Sequence, residues 1–186
     1  MGPTVPIMAR FSTPGGDEKP MAKAKKPPVV SIIMGSKSDW EAMRSARDLL
    51  GDLGIASEAK VLSAHRTPHR LATYTEGLRK RGFKVVIAGA GMAAALPGAV
   101  AALTSLPVLG VPLEGGRAIG ALDALLAMVQ MPRGIPGGTL AVGKSGAYNA
   151  ALLAAAILAL SDKTIAARLD KFRQAQTDAV IEDPEA

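Results

Sequence analysis

The stretch that decides the fold is VVSIIMGSKSDW, Val29–Trp40. VVSIIM is a continuous, largely β-branched apolar run, the pattern of a central parallel strand buried on both faces. Gly35 ends it. A short polar loop leads into helical apolar spacing over Asp39–Leu53, carried by Trp40, Met43, Leu49, Leu50 and Leu53, and Gly54 stops that helix. A strand, a glycine-led polar loop and a helix make the first half of a βαβ unit.

The rest of the chain repeats the alternation. Ser57–Leu62 reads as a second strand. Thr67-Pro68 sets a capping residue before a proline at the first helical position, opening a helix that runs to about Arg81. Lys84–Ala88 (KVVIA) is a third strand, with Gly89–Gly91 as a tight loop, and Leu96-Pro97 opens a helix ending near Leu103. Pro107–Val111 is a fourth strand, followed by a Gly-rich loop and a helix over Ala121–Val129. Thr139–Val142 is a fifth strand, and Ala147–Leu160 an Ala/Leu-rich helix. Asp162–Ala179 is a final amphipathic helix with Ile165, Leu169 and Phe172 on one side. Five strand–helix alternations predict an α/β three-layer sandwich around a five-stranded parallel sheet with right-handed crossovers, and the loops after its first strands converge if the order is 2-1-3-4-5, the order expected here. The last helix is surplus to that sandwich and is expected to pack on a neighbour.

The length of 186 residues suits one domain. That domain is expected over residues 29–186, behind a flexible extension over 1–28 that holds six of the 13 prolines. The extension carries five Lys/Arg against two acids, half of the net charge of +6, so the body is only mildly basic and no nucleic-acid partner is expected. The absence of cysteine excludes a disulfide scaffold, a zinc ribbon, an iron–sulfur protein and thiol catalysis. Two histidines argue against a multi-histidine metal site, and three Phe, two Tyr and one Trp against a stacking platform for single strands. The longest apolar stretch, Ala150–Leu160, is shorter than the roughly 20 residues that span a bilayer. With no apolar run of signal-peptide length near the start, a cytoplasmic protein with no membrane partner is expected.

Ligands of open parallel sheets bind at the carboxyl ends of the strands. The polar residues gather there: Gly35-Ser36-Lys37-Ser38-Asp39 after strand one, Ser63-Ala64-His65-Arg66-Thr67 after strand two, and Gly89-Ala90-Gly91 after strand three. The first loop offers hydroxyls and a helix N-terminus, which favour an anion such as phosphate; a bland alternative is that Ser38 or Asp39 simply caps the helix. Arg66 is a permanently charged fork suited to phosphate, and His65 is matched to proton transfer near neutral pH; a solvent-facing loop pair is the alternative. Glycines allow close backbone approach to a ligand. The candidates are therefore His65 for catalysis and Ser36, Ser38, Asp39, Ser63, Arg66, Gly89 and Gly91 for binding. His69, one helical turn on, is expected at the surface without a catalytic role. Together they suit proton transfer on a phosphorylated small molecule.

The chain resembles the class I PurE family, the N5-carboxyaminoimidazole ribonucleotide mutases of de novo purine synthesis, from about Val29 to Pro184. The resemblance rests on GSKSDW (Gly35–Trp40), VLSAHRTP (Val61–Pro68), VVIAGAG (Val85–Gly91), LPG (Leu96–Gly98), PVLGVP (Pro107–Pro112), VQMPRGIP (Val129–Pro136) and NAALLAA (Asn149–Ala155). It implies a flavodoxin-like fold, a homo-octamer with sites at subunit junctions, and no metal or organic cofactor. It also implies that Ser36 and Asp39 bind the ribonucleotide, Arg66 holds its phosphate and His65 is the general acid/base. The carboxylate would move from N5 to C4 of the imidazole through aminoimidazole ribonucleotide and CO2. Two positions depart from the family's GAGGAAHLPG: Met92 replaces a glycine, where a side chain takes space near the pocket, and Ala95 replaces a histidine. The loop Leu113–Asp123 is one residue longer than the family's and lacks its usual serine. Direct carboxylation by CO2, and a paralogue that binds nucleotide without turnover, are the alternative readings.

Overall fold

A computed structural model describes residues 27–115 and 120–183. Five parallel strands form one sheet in the order β2-β1-β3-β4-β5: β1 (Val30–Met34), β2 (Ser57–Val61), β3 (Val85–Gly91), β4 (Val108–Leu113) and β5 (Gly138–Thr139). The helices are α1 (Trp40–Asp52), α2 (Pro68–Gly77), α3 (Ala95–Leu103), α4 (Leu122–Val129), α5 (Gly143–Ala159) and α6 (Lys163–Asp178). The architecture is the α/β sandwich that the alternation predicts, with the flavodoxin-like fold that the resemblance implies. Residues 1–26, and with them nearly all of the expected extension, lie outside the described residues, as does the centre of the Leu113–Asp123 loop.

Alternate residues of each central strand feed two cores. Val30, Ile32 and Met34 of β1, with Val85 and Ile87 of β3, pack against Met43, Leu49 and Leu50 of α1 and the alanine face of α5. Ile33, Val86 and Ala88 face the other way, onto Leu71 of α2, Leu96 and Val100 of α3 and Met128 of α4. Both faces of the sheet are therefore covered, which is why the central strands read as unbroken apolar runs.

Several boundaries differ from expectation, for physical reasons. Gly89–Gly91 is not a loop: the three residues continue β3 and pair with Val111, Pro112 and Leu113 of β4. Helix α2 closes at Gly77, and turns finish the segment to Gly82, where Gly82 N–H donates to Arg79 C=O at 3.1 Å. Strand β5 is a two-residue edge strand, lengthened only by Leu140 N–H donating to Gly110 C=O at 2.9 Å. Helix α5 starts four residues before the expected Ala147, at Gly143. Helix α6, capped by Asp162 through Thr164 N–H and Ile165 N–H, lies on α5 of its own chain. Ile165, Leu169 and Phe172 are half-buried against the α1/α5 core, Phe172 meets Tyr148 at 6.3 Å between ring centres, and Arg168 donates to Leu53 C=O at 2.9 Å. Among the described residues no helix is long and apolar enough to cross a membrane.

Candidate active site

A cavity of about 470 Å³ opens at the carboxyl ends of the strands. Parallel pairing puts it there. Met34 of β1 stands in register with Val61 of β2 and Gly89 of β3, so the segments leaving all three strands emerge on one edge.

The first segment is tightly built. Ser36 Oγ accepts from Ser38 N–H at 3.4 Å and is 3.0 Å from Ser38 Oγ, while the Asp39 carboxylate accepts from Ser36 N–H at 2.8 Å. This is a reciprocal capping box over a single 3₁₀ turn that runs straight into α1. The cap is Ser36, not Ser38 or Asp39: Asp39 closes the box from the third position and makes no side-chain cap of α1, and both Ser36 and Asp39 line the cavity as well. Burial pushes the Asp39 carboxyl above its ordinary range, opposed by the Ser36 and Gly35 N–H groups and by the charge of Arg66.

The second segment folds on itself. Thr67 is not the side-chain cap that its position before Pro68 predicts. Its hydroxyl accepts from Ser63 N–H at 2.9 Å and donates to Ser63 C=O at 3.1 Å, closing a loop over 63–67. Ser63, nearly buried, accepts from Arg66 N–H at 3.1 Å and from Arg66 Nε at 3.4 Å. The guanidinium then donates from Nη2 to Gly35 C=O at 2.8 Å, tying the second segment to the first. Arg66 is thereby held with part of its donor fork directed to protein and the rest available to an anion. His65, beside it, is exposed and lines the cavity, and among the described residues no hydrogen bond engages its ring. Both imidazole nitrogens are open to a ligand.

The third side is apolar. Ala90, Gly91, Met92, Ala93, Ala95 and Leu96 line it, and Gly115 joins from the segment after β4. Gly91 lacks a side chain for a packing reason: a Cβ there would lie 2.6 Å from Gly115 Cα. Gly89 does not reach the cavity. It sits inside β3, where its missing Cβ makes room for the Met43 side chain, so its glycine serves the core. Of the sequence candidates, Ser36, Ser38, Asp39, Ser63, His65, Arg66 and Gly91 converge, Gly89 stands behind them, and His69 is exposed outside the cavity. Sequence reasoning missed Ala64, Leu96 and Gly115 as lining residues. Only the glycine pair after β4, Gly115-Gly116, signalled one of them.

The profile of the AIR carboxylase family matches residues 29–179. The chain is 59% identical over 155 residues to the N5-carboxyaminoimidazole ribonucleotide mutase of Brucella melitensis, covering 83% of this chain and 95% of that one. It is 52% identical over 165 residues to the Escherichia coli enzyme of the same name, covering 89% and 97%. The crystal structure of Treponema denticola PurE superposes with a TM-score of 0.72 at 30% identity, covering 85% of this chain and 97% of that one.

Proposed function

The chain belongs to the AIR carboxylase family, and from that membership and the cavity we propose that it is an N5-carboxyaminoimidazole ribonucleotide mutase of purine biosynthesis, an isomerase by reaction type. The observation that carries the reading is the pairing of His65 with a tethered Arg66 in the same cavity as the Ser36/Asp39 turn.

The residues divide the work by their chemistry. Arg66, with the Ser36 and Ser38 hydroxyls near a helix N-terminus, suits the substrate's phosphate. Asp39, an acceptor when ionised, suits ribose hydroxyls. The Ser63 oxygen is engaged with Arg66, which leaves its O–H as the donor it can offer. The reaction then needs one proton moved. The N5 carbamate breaks its N–C bond, releasing CO2, and the exocyclic nitrogen takes a proton. C4 attacks the CO2 carbon, forming the new C–C bond, and the C4 proton leaves to restore the aromatic ring. The proton lost from C4 balances the one gained at N5, so a single group that gives and then recovers a proton suffices, and His65 is the group placed for it. Confinement of CO2 beside C4 supplies effective concentration.

The same reading carries a homo-octamer with sites at subunit junctions, a cytoplasmic location, a functional unit over residues 29–186, and no nucleic acid among its partners. These follow from the family resemblance and the sequence. The test is direct. The purified full-length chain, given the N5-carboxylated ribonucleotide without ATP, should yield the C4-carboxylated product. Product formed only from aminoimidazole ribonucleotide and bicarbonate, and never from the carbamate, would show direct carboxylation instead.

A further inference from the structure

Met92 has φ +56°, in the left-handed region that a residue with a side chain rarely adopts. Such outliers persist where the surroundings over-determine them, and they concentrate at functional sites. Core packing does not account for this one. Met34, Met43 and Met128 are buried, whereas Met92 is 61% exposed. Its side chain is nevertheless directed. A Cβ on Gly115 would lie 2.7 Å from Met92 Cγ and 2.8 Å from Met92 N, so the methionine stem runs along the bare face of that glycine. Met92 itself lines the cavity, on its apolar side.

Among the described residues this apolar, polarizable group, held at a strained backbone, is left largely uncovered, and the cavity's ligand is in reach of it. Resting on the ribonucleotide reading above, we propose that Met92 packs its thioether on the flat heteroaromatic ring of the bound substrate, and that the strained backbone is kept for that contact. Sulfur favours aromatic rings through its polarizability, and the unbranched side chain fits a ring edge or face without a fixed shape. The polar side of the cavity takes phosphate and ribose; Met92 sets where the ring lies.

The test uses Met92→Gly and Met92→Leu in the full-length chain. Glycine adopts φ +56° without penalty, so Met92→Gly raises Tm, by about 2–4 °C. Loss of the ring contact raises KM for the N5-carboxylated substrate about fivefold, with kcat changed less. Met92→Leu keeps both the strain and an apolar contact, so its Tm does not rise and its KM stays within about twofold of the parent. A methionine that only braced the loop would behave oppositely, lowering Tm as glycine and leaving KM alone. Unchanged KM in Met92→Gly, or a Tm that fails to rise, overturns the proposal. If the unsubstituted chain shows no turnover, the mutase reading fails and the ring contact falls with it; a working parent with an indifferent Met92→Gly overturns the ring contact alone.

Discussion

At the residue scale, the site depends on side chains that do two things at once. Asp39 accepts from Ser36 N–H, which shapes the turn, and faces the cavity, where it can accept from a ligand. Because its folded pKa is raised chiefly by burial, the ionised form is disfavoured in the fold. The contribution to stability is therefore greatest below the ordinary carboxylate range. It declines as pH rises through that range to the folded pKa, and is flat above it. Asp39→Asn should remove this slope and leave the chain more stable at neutral pH, since the amide oxygen still accepts from Ser36. The same substitution should raise KM about tenfold, as expected for a hydrogen bond to a charged group. Thermal scans across pH and steady-state kinetics check the two halves separately; a parent with the same slope as Asp39→Asn contradicts the first. His65 and Arg66 were legible as a pair because their residue types carry chemistry wherever they stand. The tether of Arg66 to Gly35 C=O was not, because it joins residues 31 positions apart and needs the β1/β2 register to bring them together. Gly89 misled for the same reason: a glycine beside a site can serve the ligand or the helix behind it, and only packing distinguishes the two.

At the element scale, α2 is locked to the sheet by a polar network at the far side from the cavity. Ser31, wholly buried in β1, shares a hydrogen bond of 2.9 Å with Tyr74 OH, which donates to Glu58 at 2.9 Å, and Arg81 pairs with both Glu58 oxygens at 2.9 Å. Burial, with the Glu58 carboxylate beside it, pushes Tyr74 up to about 12. Burial also works to raise Glu58, but the hydrogen bonds from Arg81 and Tyr74 outweigh it and hold the carboxyl low. Tyr74→Phe strands the Ser31 hydroxyl and should cost about 1–3 kcal/mol, read by denaturant unfolding; no loss would show that Ser31 finds another partner. For Glu58, a depressed folded pKa means its contribution is present above the ordinary carboxylate range and lost as pH falls through the folded value. Glu58→Gln should therefore destabilise the chain at neutral pH and make no difference at the acid end. Strands β1 and β4 were legible because burial on both faces leaves an unbroken apolar run. The end of β3 was not, since ladder bonds use only backbone and glycine does not interrupt them. The start of α5 was hidden too: Gly143 and Gly146 look like a loop, yet Gly146 sits where a Cβ would strike Ala141 C=O and press on Val111, so glycine there permits close packing inside a helix.

At the scale of the whole molecule, the alternation of elements carried the parallel sandwich, and the strand order 2-1-3-4-5 brings the segments of the site together. The role of α6 changes once the packing is seen. It covers α5 of its own chain, so Phe172→Ala should cost about 1–2 kcal/mol of stability, below the range for a fully buried aromatic because Phe172 is half-buried. An unchanged unfolding midpoint would mean that the α5/α6 contact contributes little. We propose that mutase chemistry runs in the cavity at the strand ends with His65 moving the proton. The measurement that tests it most directly pairs turnover of the N5-carboxylated ribonucleotide with calorimetric binding of the C4-carboxylated product, for the parent chain and for His65→Asn. The expected result is turnover by the parent, and turnover reduced at least a hundredfold in His65→Asn with product affinity within a few-fold. Turnover by His65→Asn at the parent's rate would contradict it.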